Sequence, residues 1–223
     1  MESIVIEKII RTKRKSLSIV ISQDGTVLIR APLRTPDQMI ENFIREKRAW
    51  IEKKIQEMKK RPRPVKRAFV NGESILYLGK YYEIQVLDDP SITIELRNKL
   101  YISQRILPDV RRHLKAWYKA EARKKIFERV AFFSEITGYL PKSIKISRAE
   151  RRWGSCTSKG TLNFSWRLIM APLEMIDYVI VHEMVHLDQP DHSKAFWNKV
   201  RVIMPDYERR KNWLKENDRL LVI

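Results

Sequence analysis

The sequence predicts an α+β fold, with a β-rich N-terminal part (residues 1–106, including one long helix) followed by a mixed C-terminal part (residues 107–223). Three observations lead there. Short runs of alternating apolar and polar residues, punctuated by Asp-Gly, Asn-Gly and Pro, recur as far as Ser103. A stripe of apolar residues at helical spacing then runs from Pro108 to about Thr137. A further helical segment after Pro172 is apolar on most sides, yet it carries two histidines.

Leu17, Ile19 and Ile21 alternate with polar residues, Asp24-Gly25 supplies a turn, and Val27 and Ile29 resume the alternation up to Pro32, a hairpin pattern. Thr35-Pro36-Asp37-Gln38 has the form of a capping box with Pro at the first helical position. Behind it Met39, Ile40, Phe43, Trp50, Ile51 and Ile55 form one stripe as far as about Lys60. Arg61-Pro62-Arg63-Pro64 then breaks the helix as a short stiff linker. Strands are expected at Ala68–Val70, Ile75–Leu78, Tyr82–Leu87, Ile92–Leu96 and Leu100–Ser103, with turns at Asn71-Gly72 and Asp88-Asp89-Pro90. The helix from Pro108 carries Val110, Leu114, Trp117, Phe127, Val130 and Phe133 and stops at Gly138. Ser143–Arg148, Trp153–Cys156 and Thr161–Trp166 read as strands, the last two joined by Thr157-Ser158-Lys159-Gly160. Pro172 opens a helix to about Asp188, and two more helices begin near Ser193 and Asp206.

With 43% hydrophobic residues the chain can bury a core, so wholesale disorder is excluded. No apolar run approaches the roughly 18 residues of a membrane span. Met1 to Lys15 mixes apolar and charged residues, unlike a secretory signal, so a cytoplasmic protein with no membrane partner is expected. Cys156 is the only cysteine, which rules out an intrachain disulfide and a Cys-rich zinc site. The net charge of +18 attracts polyanions and makes nucleic-acid association an expectation; a solvated basic surface is the plainer account. Nothing in the sequence fixes the oligomeric state.

The four histidines are therefore informative. In His182-Glu183-Met184-Val185-His186 the two imidazoles lie one helical turn apart on one face and can grip one ion. Glu183 is placed beside them to act as general base toward a water at the ion without being a ligand. Met175, Ile176, Val179, Ile180, Val185 and Leu187 imply burial, where two histidines and a glutamate need something to satisfy them, and a Zn2+ ion does so. His192 follows six residues after His186, beyond Gln189-Pro190-Asp191, and completes a three-histidine set that leaves one position open. That spacing equals the metzincin pattern, but Gln189 stands where the pattern has its turn glycine. Met204 and His113 read more simply as core and surface residues. Tyr178, Arg152 and Tyr207 are candidates for an oxyanion stabiliser, although packing or surface roles explain each more plainly.

Arg152-Trp153-Gly154-Ser155-Cys156, Leu162-Asn163, the run Asp177 to His186, and His192-Ser193 with Phe196-Trp197 together resemble the YgjP-like metallopeptidase family. Asp24-Gly25, Arg30-Ala31-Pro32 and Trp50-Ile51 extend the likeness to the N-terminal half. The resemblance implies a zincin-like catalytic domain related to SprT-like proteases in a cytoplasmic protein. It also implies His182, His186 and His192 as zinc ligands and Glu183 as the catalytic residue. In the Arg152–Cys156 segment, a strand beside the metal helix can pair with extended substrate, and Gly154 permits close approach. Trp153 and Cys156 read more simply as a core anchor and a small buried hydrophobe.

Three functional readings follow. The leading one is a zinc peptidase acting on polypeptides, including proteins associated with nucleic acid. The second is a zinc hydrolase with a small closed pocket that cleaves another bond. The third is a nucleic-acid-binding protein with structural zinc, which calls for a fourth protein ligand such as Asp188 or Asp191.

Overall fold

The period-two residues near the N-terminus do form a sheet. The computed structural model describes residues 6–22, 25–60, 67–150 and 152–223, with the backbone alone at 58–60. In it β1 (Ile6–Thr12) pairs parallel with β3 (Val27–Pro32), and β2 (Ser18–Ile21) pairs antiparallel with β3. Alternation along β3 sends Val27, Ile29 and Ala31 inward, where they meet Ile40 and Ile51 in a small core. The single helix expected over 36–60 is two, α1 (Asp37–Glu46) and α2 (Arg48–Lys60), parted at Lys47 (φ −92°, ψ 4°). The expected capping box does not form: Pro36 stands at the cap with no side-chain cap hydrogen bond. Asp24 and the linker Arg61 to Pro64 lie outside the described residues.

The chain divides into two compact units, Met1–Arg63 and Pro64–Ile223. The break expected near residue 106 is thus not where the units part. Residues 67–106 contribute Phe69, Ile75, Ile84, Leu100 and Ile102 to the same core as the helices that follow, so they belong to the second unit. Its first sheet has the order β4-β5-β7-β6, from β4 (Ser74–Tyr77), β5 (Lys80–Leu87), β6 (Ile94–Leu96) and β7 (Leu100–Ser103). The strand expected at Ala68–Val70 is irregular chain, in which Phe69 adopts a φ of 61°. A 3-10 segment, Gln104–Asp109, leads into α3 (Val110–Thr137), which ends at Gly138 with a φ of 74° as foreseen. Leu114, Tyr118, Ala122, Ile126 and Val130 make α3 the spine of the core.

A second sheet, β8-β10-β9, is built from β8 (Ser143–Ser147), β9 (Gly154–Cys156) and β10 (Thr161–Ser165). Here β9 is an edge strand, paired antiparallel with β10 on one side. The 3-10 segment Trp166–Met170 leads into α4 (Leu173–Val185), followed by α5 (Lys194–Ile203) and α6 (Tyr207–Asn217). The architecture is α+β, as expected. Among the described residues, no helix is long and apolar enough to cross a membrane.

Candidate metal centre

Apolar residues surround α4 because neighbours surround it: it packs against α3, α5, α6 and β9. Its position along α3 is pinned by Arg129, whose Nε and Nη2 donate to Asp177 Oδ1 and Oδ2 at 2.7 and 2.9 Å, a bidentate pair largely out of water. Five residues on from Asp177, His182 points out of the helix. One turn later His186 sits at the helix C-cap.

The turn that brings His192 back is made without glycine. The N–H groups of Asp188 and Gln189 both donate to Val185 O, and His186 Nδ1 lies 2.9 Å from Gln189 O. Gln189 is not among the residues of positive φ, so no left-handed position is required. The contact to the Gln189 carbonyl makes Nδ1 the protonated nitrogen and leaves Nε2 with its lone pair. Asp191 Oδ1 accepts from Ser193 N, and Ser193 Oγ caps α5 by accepting from Phe196 N.

His182, His186 and His192 therefore converge. One nitrogen from each lies within 4.8 Å of the others, and His182 Nε2 is 3.0 Å from His192 Nε2. All three rings rest on Phe196, at centroid distances of 4.9, 4.5 and 4.8 Å, and His192 also stacks on Trp197. Burial pushes the His182 pKa down to about 3 and lowers that of His192, so both are neutral donors at ordinary pH. Neutral imidazoles facing one another this closely suit a shared cation. Nitrogens bound at about 2.1 Å to a tetrahedral ion stand about 3.4 Å apart, close to the separation of the His182 and His192 nitrogens. His182 Nδ1, on the far side of the ring from that contact, is buried with no hydrogen-bond partner among the described residues. The donor set thus fits a metal.

Glu183 is buried against β9. A Cβ built on Gly154 would stand 2.5 Å from Glu183 Oε1 and 2.6 Å from its Cγ, so the space foreseen at Gly154 for substrate is filled by this carboxyl group. Burial raises the Glu183 pKa to about 7, opposed by the Cys156 backbone N–H and the charge of Arg152. Burial and the nearby Glu183 also raise the Cys156 thiol, which keeps it protonated and unsuited to nucleophilic work. Trp153 packs against the core, as expected.

A cleft of about 550 Å³ opens over the centre, bordered by Arg152, the β9 residues and the three histidines. A second cavity of about 270 Å³ shares Gly154, His182 and Glu183 with it. Of the oxyanion candidates, Arg152 lines the first and Tyr178 the second. Tyr207 is turned away: it stacks on Trp197 and its hydroxyl donates to Glu208. Asp188 is paired with Lys199 and Asp191 with Ser193, so neither joins the histidines. His113 shows no part in the site. Sequence reasoning missed the Arg129–Asp177 clamp and Lys211 at the centre's edge. It quoted Phe196 and Trp197 without a role, although the four-residue step from His192 to Phe196 was visible.

Residues 15–217 match the family model described as YgjP-like, metallopeptidase domain. None of the curated proteins matches the chain. The crystal structure of the metallopeptidase zymogen of Pyrococcus abyssi abylysin is similar at 20% identity and a TM-score of 0.38, over 42% of this chain and 96% of that one. With the match spanning nearly its whole length, the chain belongs to the YgjP-like metallopeptidase family.

Proposed function

We propose that the protein is a zinc peptidase in which His182, His186 and His192 hold the ion and Glu183 is the general base. The observation that carries this is the convergence of three imidazoles on one point beside a buried carboxyl group whose pKa lies near 7. A zinc ion held there would supply Lewis acidity toward a water and a scissile carbonyl. A Glu183 carboxylate oxygen takes the proton of the attacking water and hands it to the leaving amine. Gly154 and the Cys156 N–H hold that carboxyl group in place. The outer edge of β9 borders the cleft and offers backbone groups to an extended polypeptide, the pairing expected from the sequence.

The structural-zinc reading called for a fourth protein ligand, and among the described residues none joins the three histidines. The closed-pocket hydrolase is disfavoured by a cleft that runs along a strand edge.

The first experiment is elemental analysis of wild type and His192→Ala side by side, with a peptidase assay in which Glu183→Gln is the control. About one zinc per wild-type chain, sharply reduced in His192→Ala, is expected. Glu183→Gln should keep its zinc and lose roughly two to four orders of magnitude in kcat. A folded, chelator-free wild type without zinc would overturn the reading.

Action on nucleic-acid-associated proteins is a further step that rests on the +18 charge. It requires duplex or single-stranded DNA or RNA to bind with affinity that falls steeply with salt. Absence of binding at physiological ionic strength removes it.

A further inference from the structure

Four basic side chains project from α6: Arg209, Arg210, Lys211 and Lys215. The two arginines are committed to structure. Arg209 donates to Glu174 and Asp206, and Arg210 donates to Asp206 and the Glu174 carbonyl. The two lysines lie one turn apart on one face, are exposed, and among the described residues are paired with no carboxylate. Two like charges at this spacing repel one another, so the fold gains nothing from the arrangement.

These unpaired lysines are the ones that line the smaller cavity beside the metal centre. The Lys211 ammonium is held 4.4 Å from the centroid of Trp197, the ring that stacks on His192, which fixes its direction while leaving its N–H donors free. The cavity walls are Trp153, Tyr178, Val179 and Leu214. Among the described residues lining both cavities the cations are Arg152, Lys211 and Lys215, and the one carboxyl group is Glu183, already engaged in the chemistry.

We propose that this cavity is a carboxylate-binding subsite: Lys211 and Lys215 hold the carboxylate of an acidic substrate residue, a Glu or Asp side chain or the C-terminal carboxylate, next to the bond that is cut. The proposal deepens the peptidase reading and rests on it. A cavity of about 270 Å³ with apolar walls and a cationic rim matches the methylenes and terminal charge of one acidic side chain. Because it shares His182 and Glu183 with the larger cleft, a polypeptide crossing the centre passes over it. The phosphate of a nucleic acid has no apolar stem to fill such walls.

The test uses the full zinc-loaded chain and pairs of fluorogenic peptides. Within each pair, Glu and Gln are exchanged at one position flanking the cleavage site, and each peptide is made as free acid and as C-terminal amide. Wild type should prefer Glu over Gln at one fixed position by about tenfold in kcat/KM, the worth of one charge-assisted hydrogen bond. A preference for free acid over amide instead would assign the subsite to the chain terminus. In Lys211→Gln/Lys215→Gln the ratio should fall to near one, and in Lys211→Glu/Lys215→Glu a Lys peptide should overtake the Glu peptide.

A second readout needs no turnover. Anisotropy of the same peptides, labelled with fluorescein, on the zinc-loaded Glu183→Gln chain should show the acidic member binding about tenfold more tightly. Binding preference without any turnover by wild type would sink the peptidase reading and leave the subsite standing. Turnover with a Glu to Gln ratio near one in both readouts, or a ratio unchanged in the lysine variants, overturns the subsite. Displacement of the acidic peptide by inorganic phosphate or an oligonucleotide at equal or lower concentration overturns it too, assigning the lysines to phosphate.

Discussion

At the scale of single residues, the contact between Gly154 and Glu183 bears most directly on the proposed chemistry. Gly154 has an ordinary backbone conformation, so its lack of a side chain serves proximity alone. An added methyl group would meet Glu183 Oε1, Cγ and Cδ at 2.5 to 2.8 Å, and the mobile end of that side chain is what must give way. Gly154→Ala should therefore displace the proposed general base while leaving the histidines in place. The expected result is a drop of roughly a hundredfold in kcat with zinc content and fold retained, the usual consequence of misplacing a reacting group by about 1 Å. Wild-type kcat in a folded, zinc-loaded variant would show that Glu183 has room the structure does not give it. The histidines and Glu183 could be picked out from sequence because their spacing is local to one helix and its following turn. The Gly154 contact could not, because it joins residues 29 positions apart that meet only when β9 lies along α4.

At the scale of elements, the hairpin of β4 and β5 shows how distant chain segments set the metal helix. Its two central residues, Leu78 and Gly79, have φ of 47° and 77°, the pairing of left-handed residues that a two-residue hairpin needs. Their N–H groups donate to Ile169 O and Met170 O at 2.8 and 3.0 Å, docking the turn on the segment that leads into α4. A Cβ on Gly79 would lie 2.7 Å from Pro172 Cγ and 2.9 Å from Pro172 Cα, and the latter is backbone that cannot swing aside. Gly79→Ala should lower unfolding free energy by about 2–3 kcal/mol, combining left-handed strain with the clash, and should weaken zinc retention with it. Urea denaturation with and without zinc measures both, and a loss below about 0.5 kcal/mol, the range of a neutral surface change, would contradict this account. The two strands were legible in sequence as Ile75–Leu78 and Tyr82–Leu87, but the turn between them was not, and Leu78, expected in the strand, is one of its two residues. The docking site was not legible either, since sequence periodicity reports which face is apolar and not which surface covers it.

At the scale of the whole molecule, the change from period two to period 3.6 near residue 106 marks a change of element type, whereas the compact units part after Arg63. Sequence pattern reveals elements, but unit boundaries follow from which elements share a core. Phe69, Ile75, Ile84, Leu100 and Ile102 are each at most 1% exposed and pack in one cluster with Leu114, Tyr118, Ile126 and the apolar residues of α4. The first unit keeps a separate cluster of Val27, Ile29, Ala31, Ile40 and Ile51. Two truncations distinguish these boundaries. A chain beginning at Pro64 retains every buried residue of the second cluster and should unfold cooperatively and bind about one zinc. A chain beginning at Pro108 loses five fully buried large side chains, each contributing about 1.5–3 kcal/mol of apolar burial. That total is as large as the whole stability of an ordinary domain, about 5–15 kcal/mol, so the shorter chain should not fold. Circular dichroism melts and zinc analysis of the two chains decide between the boundaries. A cooperative melt with bound zinc from the shorter chain would place the boundary near residue 106 after all and make the first four-stranded sheet an accessory to the metal centre.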